Sequence, residues 1–250
     1  MKWPVKTATV LLPKQDCLPS ECEDALDLNV PKGRFAVADG ATEAFDSGRW
    51  AKMLVKVWTH SSQLKIEREA LMSAVENLGQ RLSKKWQHKD LPWYAEEKAR
   101  AGSYAAFAGL TINEENDGSV MWRSLVIGDS CIFHERNGVI KNGIPTTSPS
   151  FFSYTPTLLP SRSNAIDEAL IEKVYVNTWK AEPGDILILL TDAISCWYLT
   201  YAIPDCVLHD EFHTVLTSGE PIRKANLIQR ERSMGRLRND DVAVLRVEVP

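Results

Sequence analysis

The sequence predicts an α+β layered domain. Hairpin-like pairs of short apolar runs open the chain, two stretches with helical spacing follow, and hairpins then return. A third observation is chemical: several of the apolar runs stop at an aspartate.

Thr7–Leu12 reads as a first strand, closed by Pro13. A loop rich in Asp, Pro, Ser and Cys then leads to Glu23, Asp24 and a second short strand. Pro31-Lys32-Gly33 is a turn signal, and Phe35–Ala38 is a buried strand that stops at Asp39-Gly40. The turn makes a hairpin of the two strands and brings Glu23 and Asp24 alongside Asp39. From Ala44 to His60 the residues Phe45, Trp50, Met53, Leu54 and Val57 recur at helical spacing. From Ile66 to Trp86, Leu71, Val75, Leu78 and Leu82 share one helix face. Gln87–Arg100 continues as loop and helix, with Trp86, Trp93 and Tyr94 read as packing residues. Gly102–Ile112 and Val120–Ile127 are partner strands. The acidic turn between them lacks calcium-loop spacing and reads as a solvated hairpin tip. Cys131–His134 and Val139-Ile140 form another hairpin around Asn137-Gly138, a pair that favours tight turns.

Lys141–Asn164, rich in Pro, Ser and Thr, reads as a long irregular excursion and a candidate flap over substrate. Ala165–Ile171 is a short helix, Val174–Thr178 a strand and Glu182-Pro183-Gly184-Asp185 a turn. Ile186–Leu190 is a buried strand leading into Thr191-Asp192. Ile194–Tyr201 and Leu227–Arg232 read as helices. Asp241–Val249 alternates apolar and polar residues and closes the chain as a half-buried strand. One domain over residues 1–250 accommodates all of this, with no internal repeat and no low-complexity linker.

Composition narrows the class. A chain of 250 residues, 44% hydrophobic and 25% charged, is ordinary for a soluble globular protein and long enough to bury a core without staples. A net charge of −4 with no long basic block leaves no electrostatic footprint for nucleic acid. No run approaches the roughly 20 apolar residues of a membrane span. The five cysteines are odd in number and lack Cys-x-x-Cys spacing, so they read as reduced thiols. The first apolar run is too short for a signal peptide. These features point to a cytoplasmic protein.

The strand-end carboxylates carry the chemistry. Asp39, Asp129, Asp192 and Asp240 each stand at the edge of an apolar run. Buried carboxylates brought together need protons or cations, and oxygen donors select Mg²⁺, Mn²⁺ or Ca²⁺ over softer metals. Two such ions about 4 Å apart activate a water and neutralise phosphate oxygens, which suits phosphomonoester hydrolysis. Glu43 reads either as an extra ligand or as a helix N-terminal carboxylate. The five histidines are scattered and read as structural or exposed. The basic run Arg223, Lys224, Arg230, Arg232, Arg236 and Arg238 reads as a solvated helix face, or as the source of a phosphate-binding arginine near Asp240.

Glu23-Asp24-Ala25, Val37-Ala38-Asp39-Gly40, Gly102-Ser103, Val126-Ile127-Gly128-Asp129-Ser130, Pro183-Gly184-Asp185 through Thr191-Asp192, and Asp240-Asp241-Val242 stand in an informative order. Their order and spacing resemble the metal-dependent protein phosphatases of the 2C type, over nearly the whole chain. The Asp-Gly-Ala-Thr-Glu motif is most similar to the divergent bacterial branch. The resemblance implies a four-layer α-β-β-α sandwich, two antiparallel sheets flanked by helix pairs, with two Mn²⁺ or Mg²⁺ ions at one end. It implies that Asp39 bridges both ions and Gly40 ligates through its carbonyl. Asp192 and Asp240 would hold the first ion, Glu23 and Asp24 the second, and Asp129 a third, weaker one. It further implies a phosphorylated protein substrate, a cognate Ser/Thr kinase, and direct attack of metal-activated water on phosphorus.

The chain departs from the family pattern at several positions. Pro19 stands where the family has a phosphate-binding arginine, and the nearest basic residue upstream is Lys14. Thr42, Glu43 and Ala193 replace glycines, Tyr104 replaces a threonine, and no histidine adjoins Asp39-Gly40. A pseudophosphatase acting as a binding module, or a hydrolase of small phosphate esters, therefore stays beside the phosphoprotein phosphatase.

Overall fold

The computed structural model describes residues 5–61, 64–87, 92–153, 155–201, 203 and 206–249. Among the described residues, eleven strands form two antiparallel sheets. One contains β1 (Lys6–Leu12), β6 (Cys131–Arg136), β7 (Val139–Ile144), β10 (Ile186–Leu190) and β11 (Val242–Glu248), in the order β1-β11-β10-β6-β7. The other contains β2 (Ala25–Asn29), β3 (Arg34–Gly40), β4 (Tyr104–Glu114), β5 (Val120–Ile127) and β9 (Tyr175–Ala181), in the order β2-β3-β4-β5-β9. The two-residue β8 (Leu159–Pro160) pairs with the start of β4.

Strand alternation builds four layers. Along β3, Phe35 and Val37 face the other sheet, where they meet Leu187, Leu189, Ala243 and Leu245. Ala36 and Ala38 face outward, onto Trp50, Leu54 and Trp58 of α1 (Ser47–His60), with α2 (Arg68–Trp86) packed in the same cluster. The small alanines let α1 lie close to the sheet. On the opposite side, Phe133, Ile188, Leu190 and Val244 face a second helical layer. That layer is α5 (Asp192–Tyr201), α6 (Val207–Thr217) and α7 (Pro221–Ser233), through Trp197, Phe212, Leu216 and Ile228. The short α3 (Trp93–Ala101) and α4 (Glu168–Glu172) complete the chain.

The expected α-β-β-α sandwich is what the chain forms, with several differences in detail. β11 is buried on both faces, because it lies centrally between β1 and β10; its one charged interior residue, Arg246, is paired with Glu248 at 3.0 Å. The 141–164 excursion is partly regular: its first residues continue β7, and buried Leu159 anchors it through β8. Trp93 is exposed where packing was expected. Residues 88–91 of that segment and the Tyr94 side chain lie outside the described residues. Helix α6 has no counterpart in the sequence reading. Its apolar stripe is interrupted by His209 and His213, which also face inward. Asn137 and Gly138 both take positive φ, 54° and 71°, as a tight two-residue hairpin requires.

Candidate metal centre

Antiparallel pairing places one end of both sheets at a common edge. There β2 and β11 begin while β3, β5 and β10 end, so residues flanking those strands converge. The β2–β3 register pairs Ala25 with Ala38 and thereby sets Asp24 level with Asp39. Asp129 follows β5 after Gly128, whose φ of 88° and close approach to Ala106 exclude a side chain. Asp192 opens α5 after β10, and Asp240 precedes β11. Gly40 is needed for a different reason: a Cβ there would stand 2.8 Å from the Ser47 backbone and 2.9 Å from the Glu23 carbonyl.

The aspartates sense one another. Asp24 is 2% exposed, and burial, with Asp192, Asp241 and Asp240 adding repulsion, holds its carboxyl well above the usual range. Burial acts likewise on Asp39, reinforced by Asp24, Asp192 and Asp129. Asp129 is pushed up to about 7, by burial first and then by Asp192. Burial and Asp192 also raise Asp240. One guanidinium offsets part of this charge: Arg238 contacts Asp192 and lies 3.2 Å from Asp240. The structure thus brings together Asp24, Asp39, Asp129, Asp192 and Asp240.

Glu23 is engaged differently. Its carboxylate accepts from Ser47 Oγ at 2.5 Å and lies 3.9 Å from Lys14 Nζ. Glu43 is neither a ligand nor a helix cap: its side chain is 95% exposed beside Lys98, and α1 starts only at Ser47.

Three supporting side chains were not assigned from sequence. Buried Asp241 accepts the backbone N–H groups of Lys14 and Glu23, each at 2.7 Å, and so clips the β1–β2 loop onto the site. Thr191 donates to Asp24 Oδ2 at 2.8 Å and accepts from the Ala243 N–H at 3.0 Å, joining the two sheets. Glu231 on α7, fully buried, accepts from Trp197, Arg230 and Arg236, and its carbonyl accepts from the Arg236 and Leu237 N–H groups. It thereby fixes the turn that carries Arg238 and Asp240. A second acidic residue beside Asp240 was visible in the sequence; nothing local marked Thr191 or Glu231 as its partners in building the edge.

Five oxygen-donor side chains flank this edge, largely desolvated and with one arginine among them, and oxygen donors of this kind are the ones a hard divalent cation takes. A sequence profile of the family described as protein phosphatase 2C matches residues 19–224. The chain belongs to the protein phosphatase 2C family. That match ends before Asp240, which the fold itself carries to the edge. Solved structures with the same architecture include PppA of Pseudomonas aeruginosa, described as a key regulatory component of T6SS: 19% identical, 98% of each chain covered, TM-score 0.59. The photosystem II phosphatase PBCP is 15% identical, with 98% of this chain and 99% of that one covered and a TM-score of 0.63. The catalytic domain of the serine/threonine phosphatase PstP, in complex with two manganese ions, is 13% identical, with 98% of each chain covered and a TM-score of 0.61. At these identities the likeness is one of fold. No curated protein matches the sequence. No helix among the described residues is long and apolar enough to cross a membrane.

Proposed function

We propose that this 2C-type chain is a metal-dependent serine/threonine phosphoprotein phosphatase. The observation that carries the reading is the convergence of Asp24, Asp39, Asp129, Asp192 and Asp240 at one sheet edge, with carboxyls raised by burial and by each other. Asp39, Asp192 and Asp240 are assigned as the catalytic ligands, and the Gly40 carbonyl joins Asp39. Asp24 and Glu23 would hold a second ion, directly or through water, and Asp129 a third. Two Mn²⁺ or Mg²⁺ ions, when bound, lower the pKa of a water and neutralise the phosphoryl oxygens.

The chain's own residues do the rest. Thr191 holds Asp24 in one orientation through its hydroxyl. Asp241 holds the loop bearing Glu23. Arg238, with a half-exposed side chain, takes the phosphate-binding role vacated at Pro19, since a planar guanidinium can donate to two phosphate oxygens at once. Lys14 adds a second positive charge on the Glu23 side. A phosphorylated protein is the substrate, a Ser/Thr kinase supplies it, and the reaction takes place in the cytoplasm.

The contact of Arg238 with Asp192 and Asp240 also favours a second reading, in which the arginine substitutes for an ion and the domain binds without hydrolysing. Turnover of a phosphoserine or phosphothreonine peptide, measured beside a panel of small phosphate esters, separates the readings. Preference for the peptides supports the phosphoprotein phosphatase. Preference for small esters moves the assignment to a small-molecule hydrolase, and Mn²⁺ binding without turnover of either moves it to the binding module.

A further inference from the structure

We propose that the chain holds a second metal site, for a divalent transition cation of the zinc class, formed by Glu135, His209 and His213. His209 and His213 are four residues apart on α6 and so share one face of the helix. Both turn toward Glu135 on β6. The strand register shifts between His134 and Glu135, and such a bulge re-aims the side chain that follows it. His209 Nε2 lies 3.3 Å from Glu135 Oε1, and His213 Nε2 lies 3.2 Å from Glu135 Oε2. Three donor atoms, one from each residue, lie within 4.8 Å of one another.

Those two separations, one to each oxygen of Glu135, are compatible with a shared ion. Two donors about 2.05 Å from a shared zinc at the tetrahedral angle stand about 3.3 Å apart. The donor set is imidazole, imidazole and carboxylate, which suits zinc and its neighbours over magnesium or calcium. Burial supplies an independent reason. The Glu135 side chain is 1% exposed; its Oε2 and the ring nitrogens of His213 make no well-aligned hydrogen bond, the 3.2 Å Nε2–Oε2 approach being an ion pair only when the ring is protonated. A buried carboxylate oxygen and an imidazole left without hydrogen bonds carry a desolvation cost that a bound cation removes. His213, 16% exposed, gives the ion a way in.

The site is separate from the aspartate edge. Glu135 lies four residues along β6 from Cys131, about 13 Å at the usual strand rise. Its effect is to pin α6 onto its sheet, not to take part in hydrolysis.

The test uses the full chain carrying Asp39→Asn and Asp240→Asn, stripped of metal and dialysed against micromolar Zn²⁺. One equivalent of zinc should be retained with a rise in Tm, and both should be lost when His213→Gln is added. His213→Gln alone should leave Mn²⁺-dependent phosphate ester hydrolysis unchanged. Equal zinc content with and without His213→Gln overturns the proposal. Cobalt provides a readout that needs no substitution at the site: the Co²⁺-loaded, double-Asn chain should show the intense visible bands of a four-coordinate ion with nitrogen donors. Only the weak bands of an oxygen-ligated ion would overturn it, even if the His213 variant fails to fold.

Discussion

Replacing Glu231 with glutamine should destabilise the domain strongly at neutral pH and hardly at all in strong acid. The carboxylate is fully buried. It accepts from Trp197 Nε1 at 3.0 Å, from Arg230 Nε at 3.0 Å, and from Arg236 at 2.7 and 2.8 Å. Burial alone would raise its pKa, but the hydrogen bonds from Arg236, Trp197 and Arg230 outweigh it and hold the group at about 2, against an ordinary 4.5. A displacement of that size corresponds to about 3 kcal/mol. Because the folded value is the lower one, this stability is fully present above about pH 4.5 and is lost as pH falls toward 2. Glutamine keeps the shape but leaves Arg236 without its buried counter-charge, Arg230 keeping Glu211, so Glu231→Gln should cost about 3 kcal/mol at pH 7. Urea unfolding of the two proteins at pH 7, 4 and 2.5 provides the assay. The gap between them should narrow steadily over that range. Equal stability at pH 7, or a gap that is the same at pH 2.5, would refute the reasoning.

Two further expectations follow from packing and charge. Gly79→Ala in α2 should destabilise by about 1–3 kcal/mol in thermal unfolding, despite the better helix propensity of alanine, because its Cβ would stand 2.0 Å from the Ser161 carbonyl oxygen. A neutral or stabilising result would mean that the 159–161 segment is not seated against α2. Arg238→Ala should lower kcat/KM for a phosphopeptide by about 10- to 100-fold, the worth of a charge-assisted hydrogen bond. An unchanged value would reduce Arg238 to a counter-charge for Asp192 and Asp240.

The sequence made the scaffold legible wherever local signals agreed with the fold. Ala36, Ala38 and the apolar face of α1 carry opposite halves of one interface, and each has the right period on its own. Asn137-Gly138 specified its turn because few other residues adopt two successive positive φ values. The aspartates were legible as strand ends. The turn at Pro31-Lys32-Gly33 already set Asp24 beside Asp39; the convergence of the others came with the family resemblance, because alternation alone says nothing of which strand ends share an edge. β11 was misjudged as half-buried because Arg246 mimics a solvent-facing position until its pairing with Glu248 is seen. Helix α6 stayed hidden because its inward face spends two positions on histidines, and their carboxylate partner lies on β6, more than seventy residues away in the chain. Part of the Glu231 network was hidden for the same reason: Trp197, on α5, meets it only once α5 and α7 are packed.

The central claim is that the aspartate edge hydrolyses phosphate esters only with divalent cations. Hydrolysis of p-nitrophenyl phosphate, with and without Mn²⁺, by the unmodified chain, Asp39→Asn and Asp240→Asn tests it most directly. Turnover should require Mn²⁺ and be lost in both variants. Turnover that survives chelation, or that persists in both variants, would contradict it.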